Sequence, residues 1–371
     1  MLETLKKWLK SQFPSTNDLT KKLKAKKRPD KSIVFYLGKR PLLLESDLKT
    51  KGASGSDSAV FFLTREWVKH GYDVTIYTNC EDREGIHDGV RYLNYRKINW
   101  YDSFDTLIIW RHPKMLPPYT KANRIWFDWH DIVYAPNAFI AEKLNRFDKI
   151  LAKSHYQRNL LPEIADEKFV IINNGADASV LELSNNQKEP LKLIYASRYY
   201  RGLEFMLMWG WPIIKKEIPE AELHIYYGWT RRDSSKELIP WKEKMMELME
   251  QPGVIEHGGV GHDKLMYEKS TSAIHYYGCT YEEIDCISLR ESAMVGCVPV
   301  TTNYAVIEEK DYCIKVDGEP ATKETQEALA YRIVELLKNP EELEATRKKI
   351  LEYVKNETWE NVAPLWLENI E

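Results

Sequence analysis

From Ser32 onward, short runs rich in β-branched and aromatic residues alternate with longer amphipathic ones. SIVFYLG (32–38) leads into the helical SAVFFLTREWVKHG and then DVTIYT, and DTLIIW, RIWFDW, KILAKS and FVIINN continue the strand-like series. That alternation predicts βαβ units built on a parallel sheet, since parallel strands covered on both faces read as nearly continuous apolar runs. The pattern restarts at LKLIYA (191–196), after the polar ELSNNQKEP, and continues through ELHIYYG, GVIEHGG, SAIHYYG and CVPVTTN. Two α/β halves are therefore expected, 32–185 and 186–356, with a hinge in the charged, Pro- and Asn-containing stretch around 182–190. After Lys323 the chain turns helical, with ETQEALAYRIVELLKN, then PEELEATRKKILEYVKN with Pro340 at the first helical position, then ETWENVAPLWLENIE.

The first 31 residues read differently. Leu2, Leu5, Trp8 and Leu9 recur at helical spacing among lysines, and KKLKAKKR follows at 21–28. This segment holds ten Lys or Arg against three acids, net +7, which leaves −10 on the rest of a chain whose total is −3. A basic amphipathic tail ahead of an acidic body suits an anionic membrane surface, or a helix packed on the protein itself with a solvated linker behind it. Nucleic-acid binding through Lys21–Lys31 is a further alternative, weakened by the acidic body and the lack of aromatic residues among those lysines.

With 371 residues, 43% hydrophobic and 29% charged, the composition is that of a soluble globular protein of two domains or one large one. Five scattered cysteines without a C-x-x-C pair argue for a reducing compartment and against a disulfide framework or a structural zinc site. No run approaches 18 apolar residues and the N-terminus lacks a signal-peptide core, so a cytoplasmic protein is expected.

The chemistry-bearing candidates cluster at predicted strand ends. YEEIDCISLRESAMVGCVPV (281–300) carries Glu283 and Glu291 on either side of Ile287 and Ser288. Ser288-x-x-Glu291 fits a capping box, with a helix starting near Leu289. The alternative is a ligand site: a loop feeding a helix after a parallel strand is where open α/β sheets bind ligands, and the helix start favours an anion. YASRYYRGLEFML places Arg198 just past a strand and Arg201 at a helix start, two guanidiniums suited to a diphosphate. KGASGSDSAV (51–60) is a Gly- and Ser-rich helix entrance without a dinucleotide or P-loop fingerprint. RIWFDW ends in His130 and Asp131, where a lone His is more often structural than functional.

Taken together, the Glu283-x7-Glu291 segment with its AMVGCVPV exit resembles the E-x7-E segment of retaining GT-B glycosyltransferases of sequence family 4, and the likeness runs over roughly residues 32–370. The resemblance implies a GT-B fold, two Rossmann-like parallel-sheet domains facing each other across a cleft, with the C-terminal helix (357–371) packing back on the first. It implies a metal-independent enzyme without a cofactor, which moves a sugar from a nucleoside-diphosphate sugar to a glycan, glycolipid or other hydroxyl acceptor. By the same likeness Glu283 and His130 contact the donor sugar and Glu291 the ribose. Arg198 and Arg201 match the phosphate-binding pair, although the family has Lys where Arg201 stands and a longer gap. Ile287 and Ser288 present backbone to the diphosphate, Gly55 and Ser56 lie in the glycine-rich loop, and Val260 falls where the base would sit. Asp57 and Arg111 are acceptor-side candidates. The absence of Asp-x-Asp, H-x-x-x-H and G-x-S-x-G patterns leaves metal-dependent transferase, zinc hydrolase and serine hydrolase readings without support. A scaffold that binds nucleotide sugar or glycan without turning it over stays open.

Overall fold

A computed structural model describes residues 20–132, 142–230, 233 and 235–370; the amphipathic segment around residues 2–9 lies outside them. The strands of the first half are β1 (Ser32–Pro41), β2 (Asp73–Asn79), β3 (Gly85–His87), β4 (Val90–Asn94), β5 (Ser103–Trp110), β6 (Lys121–Asp128), β7 (Lys149–Ala152) and β8 (Phe169–Ile171). They form one sheet in the order β3-β4-β2-β1-β5-β6-β7-β8. Every pairing is parallel except β3 with β4. The second half contributes β9 (Glu189–Tyr195), β10 (Glu222–Tyr226), β11 (Val254–Gly258), β12 (Ser272–Tyr277), β13 (Val298–Thr302) and β14 (Ile314–Val316), all parallel, in the order β11-β10-β9-β12-β13-β14. In each sheet the strand order reverses next to the first strand, between β1 and β5 and between β9 and β12. Those are the topological switch points, where ligands sit beyond the carboxyl ends of the strands.

The helices used below are α1 (Glu45–Lys51), α2 (Gly55–Lys69), α3 (His155–Asn159), α4 (Leu203–Phe205), α5 (Trp211–Glu217), α6 (Ile239–Met249), α7 (His262–Thr271), α8 (Ile287–Met294), α9 (Lys323–Lys338), α10 (Pro340–Val354) and α11 (Trp359–Glu368). Their ends follow local chemistry. Ser54 caps α2 by accepting the Asp57 amide, Thr322 caps α9 by accepting that of Thr325, and Asn339 caps α10 with Pro340 behind it. α11 buries Trp359, Val362, Ala363, Trp366 and Leu367 in the core of the first half, beside Trp67 and Trp126.

The halves join somewhat before the expected hinge. Ala176 and Val180 already belong to the second core, Asn186 Nδ2 donates to Ser270 Oγ at 2.7 Å, and Lys188 Nζ donates to the Val295 carbonyl. The polar stretch 182–190 is thus strapped onto the second half, because its side chains find carbonyl and hydroxyl partners there. The crossing itself lies where Ala176 bridges Thr358 in parallel, so outgoing and returning strands of chain run side by side. Gly175 is obligatory at this point, since a Cβ would fall 2.6 Å from the Trp359 nitrogen. Beside the crossing, the wholly buried Asp285 accepts the Asn174 amide at 2.8 Å, both Arg290 η-nitrogens at 2.8 and 3.0 Å and Lys310 Nζ at 2.7 Å. Arg290 Nε in turn donates to Glu357 at 2.6 Å.

The folded body also begins before Ser32. The Lys26 amide donates to Asp102 Oδ1 at 3.0 Å, Arg28 binds Asp102 and the Tyr77 hydroxyl, and the Lys31 amide donates to Asp105.

Candidate active site at the facing strand ends

At the end of β9 the chain turns through Arg198 and Arg201 into α4. Gly202, at φ +110°, makes the turn possible: a side chain there would collide with the Gly278 carbonyl just past β12. This close approach lays the arginine loop against the loop that carries Glu283. Arg201 Nη1 is ion-paired to Glu283 Oε1, which also accepts the Tyr277 hydroxyl at 2.8 Å. Arg201 stacks its guanidinium on the Tyr281 ring at 4.5 Å, and its buried Nε has no hydrogen-bond partner among the described residues. Burial works most strongly against the charged form of Arg201, but Glu283 together with the neighbouring Tyr277, Cys286 and Cys279 outweighs it and holds the guanidinium protonated. Arg198 is more open, donating to the Tyr200 hydroxyl at 2.8 Å between the Tyr200 and Tyr227 rings.

The capping box does not form. α8 starts at Ile287 rather than near Leu289, its cap residue is Cys286 without a side-chain bond, and Ser288 Oγ donates instead to the Ala196 carbonyl at 2.9 Å. That bond ties the start of α8 to the end of β9, two residues before Arg198. Glu291 turns away from its own backbone towards α7, accepting His262 Nε2 at 2.9 Å and Lys269 Nζ at 2.8 Å. The Lys269 ammonium is wholly buried and also donates to the Ser288 carbonyl and hydroxyl, so one lysine fixes both the carboxylate and the helix start. Burial would raise the Glu291 pKa, but Lys269 and His262 bring it down to about 2. Burial likewise pulls on His262, yet Glu291 overrides it and leaves that imidazole above its ordinary value.

The first half presents its own charged pairs at the ends of β1, β5 and β6. Arg40 binds Asp57 through both guanidinium arms, with Nε to Oδ1 at 2.6 Å. Arg111 does the same to Asp131, with Nε to Oδ2 at 2.8 Å, and reaches Ser56 Oγ at 3.5 Å. Arg111 adopts φ +62°, a left-handed conformation that costs a branched-off side chain roughly 1 kcal/mol or more and concentrates at functional sites. Both guanidiniums pack on Trp110. His130 lies behind them with Nε2 on Asp128 Oδ2 at 3.0 Å, and the other oxygen of Asp128 takes Lys153 Nζ at 2.6 Å. Here burial, assisted by Lys153 and Arg111, keeps the His130 pKa below its ordinary value against the pull of Asp128.

The two rims touch. A Cβ on Gly52 (φ +70°) would fall 2.7 Å from the Val260 carbonyl, and one on Gly55 would fall 3.5 Å from Ile287 Cδ1, so the glycine-rich entrance of α2 abuts both the start of α7 and the start of α8. The Phe62 ring lies 6.3 Å from that of His262. On the other side Glu309 accepts the His155 amide at 3.0 Å and that of Tyr156, capping α3 from the opposite half.

Gly55, Ser56, Asp57 and Arg111 thus line one rim with His130 behind them, and Arg198, Arg201, Val260, Glu283, Ile287, Ser288 and Glu291 belong to the other. The partners His262, Lys269, Asp128 and Lys153 carry no sequence signal as part of this site. Lys269 in particular sits at the end of an ordinary-looking helix.

No protein-family model matches the chain, and no curated protein matches it. Solved structures do. A glycosyltransferase from Rickettsia africae superposes at TM-score 0.66 with 13% identity, covering 92% of this chain and 98% of that one. Anabaena HepE in complex with UDP and glucose gives TM-score 0.68 at 11% identity, over 91% and 99%. Sucrose-phosphate synthase from Thermosynechococcus elongatus gives 0.67 at 13%, over 91% and 98%. At these identities the likeness is one of fold, and the fold is GT-B: two Rossmann-like halves facing each other across a cleft.

Proposed function

We propose that the chain is a glycosyltransferase that moves a sugar from a nucleoside-diphosphate donor to a hydroxyl acceptor. The observation that carries this reading is the separation of Glu283 from Glu291: each is held by its own cationic partner, one at either end of the α8 start, with Arg198 and Arg201 alongside. Paired carboxylates sharing one proton would need to lie together, whereas a donor spanning sugar, diphosphate and ribose needs them apart. HepE, whose fold this is, binds UDP and glucose.

In this reading Glu291 accepts ribose hydroxyls, the free amides at the start of α8 and the two arginines hold the diphosphate, and Glu283 and His130 orient the sugar. As the bond from the anomeric carbon to the phosphate oxygen breaks, negative charge grows on the diphosphate, where Arg198, Arg201 and the helix start meet it. The acceptor oxygen forms its bond on the same face and passes its proton to the departing phosphate oxygen, so configuration is retained without a protein nucleophile. The arginines supply the charge a divalent ion would otherwise provide, which makes transfer independent of metal. Arg40–Asp57 and Arg111–Asp131, each electrically balanced, would face the acceptor.

A thermal-shift screen against UDP, GDP, ADP, CDP and dTDP with EDTA present tests the donor assignment. One nucleotide at about 100 times its Kd should stabilise the protein by roughly 2.7 kcal/mol, several degrees in Tm. Glu291→Ala should lose most of that shift. No response to any nucleotide, or an undiminished response in the variant, would sink the assignment.

The tail has a second role to test, peripheral binding to an anionic membrane. Lys21, Lys22, Lys24 and Lys26 are exposed with Leu23, itself 81% exposed, close to the stacked Tyr101 and Tyr119. Basic and apolar groups in one patch suit a bilayer of anionic lipid. Among the described residues no helix is long and apolar enough to cross a membrane. Full-length protein should sediment with phosphatidylglycerol vesicles and not with phosphatidylcholine ones, and removal of residues 1–24 should abolish this without lowering Tm. Equal sedimentation of both forms would remove the tail from consideration.

A further inference from the structure

Lys153 stands at the end of β7 with its ammonium buried, a costly placement that needs a reason. Its surroundings are specific. Nζ donates to Asp128 Oδ1 at 2.6 Å, lies 4.6 Å over the Trp366 ring of α11, and the Lys153 amide is held by Gln157 at 2.7 Å. Asp128 ends the neighbouring strand β6, in register with Leu151. Its second oxygen is the one that meets His130 Nε2.

An ionised carboxylate only accepts hydrogen bonds, so in this contact Nε2 must be the nitrogen that carries the proton. An aspartate alone beside a histidine would draw a second proton onto the ring and make it an imidazolium. Lys153 removes that pull by neutralising Asp128 from the other side. Among the described residues the other charges facing the ring are Arg111 and, through it, Asp131, a mutually balanced pair; Trp110 packs 6.0 Å from the ring and α11 contributes Trp366 behind Lys153. Burial then favours the neutral ring.

We propose that Lys153 is a positioning residue: by saturating one oxygen of Asp128 it fixes His130 as the neutral tautomer protonated on Nε2, leaving Nδ1 as a hydrogen-bond acceptor. This rests on the reading that His130 meets the donor sugar. A neutral acceptor there can take a sugar hydroxyl, and it does not repel the positive charge that develops at the anomeric carbon, as an imidazolium would.

The ring state is measurable without any ligand. Nitrogen-15 histidine spectra of the full chain between pH 5 and 9 should show His130 protonated on Nε2 and uncharged at neutral pH. Lys153→Met should raise its titration midpoint by about one pH unit or more, and Lys153→Arg should restore the native value. Native His130 protonated on Nδ1, or a midpoint unmoved in Lys153→Met, would overturn the proposal; the first of these is decisive even if the methionine variant does not fold. The pH dependence of UDP-glucose turnover separates the two layers. An acidic limb that moves with the ring midpoint supports both, whereas a ring midpoint that shifts under an unmoved rate profile rejects the sugar contact and keeps the Lys153 assignment.

Discussion

Replacing Arg201 by alanine should slow sugar transfer about 100- to 1000-fold while leaving nucleotide affinity within roughly tenfold of the native protein. The asymmetry follows from where the charge is. On the proposed function, the ground-state diphosphate would already be met by Arg198 and the amides at the start of α8, whereas the charge that appears as the glycosidic bond breaks would be met most closely by Arg201, the arginine tied to Glu283. An interaction strongest in the transition state lowers kcat more than it weakens binding. The change has a structural side effect, since it leaves Glu283 buried against Tyr277 with no cation. Arg201→Lys controls for that by keeping the charge while losing the planar fork. It should keep the native Tm and recover part of kcat. An alanine variant that turned over donor at the native rate, with Tm unchanged, would remove Arg201 from the leaving-group site.

Asp285→Ala should be the most destabilising single change at the crossing between the halves, by roughly 3–5 kcal/mol, which for domains of this size is about 10 °C in Tm. The aspartate offers both oxygens to Arg290, Lys310 and the Asn174 amide with no solvent contact. Its removal leaves two buried cations and one amide short of acceptors, and the surviving partner of Arg290, Glu357, meets it only through Nε. The effect should be on stability rather than on chemistry, so kcat measured at low temperature would stay close to native. A Tm shift of less than ~2 °C would mean that water or Glu357 takes over the lost contacts.

Much of the architecture was legible because parallel strands announce themselves: Ile33, Val34 and Phe35 are buried on both faces of the sheet, and the runs that read as strands are strands. The antiparallel pair β3–β4 was passed over, although Asp88-Gly89 between His87 and Val90 is the dipeptide of a tight hairpin turn, with φ +49° and +79°. Its strands are too short and too polar to stand out by alternation. The hinge was expected too late because a polar stretch reads as linker whether its side chains face water or, as with Asn186 and Lys188, a hydroxyl and carbonyls at the ends of neighbouring helices. At the cleft, local motifs brought out the residues on loops and strand ends. What they could not bring out is the layer behind them, since the lysines that hold Glu291 and Asp128 come from elements distant in sequence, and neither sits in a pattern of its own. Ser288-x-x-Glu291 was ambiguous for the same reason. The spacing serves a helix cap equally well, and it is Lys269, nineteen residues before Ser288, together with His262 and the Ala196 carbonyl, that decides against it.

The docking of α11 in the first core has a bearing on how the protein is made. The half that leaves the ribosome first lacks Trp359, Val362, Trp366, Leu367 and Ile370 until those residues follow the second half out, so the surface of Trp67 and Trp126 they cover stays open while the second half is already complete. The nascent chain therefore finishes its halves in reverse order, and a translation product stopped before residue 359 would expose tryptophan to chaperones and proteases from the half that had the longest time to fold.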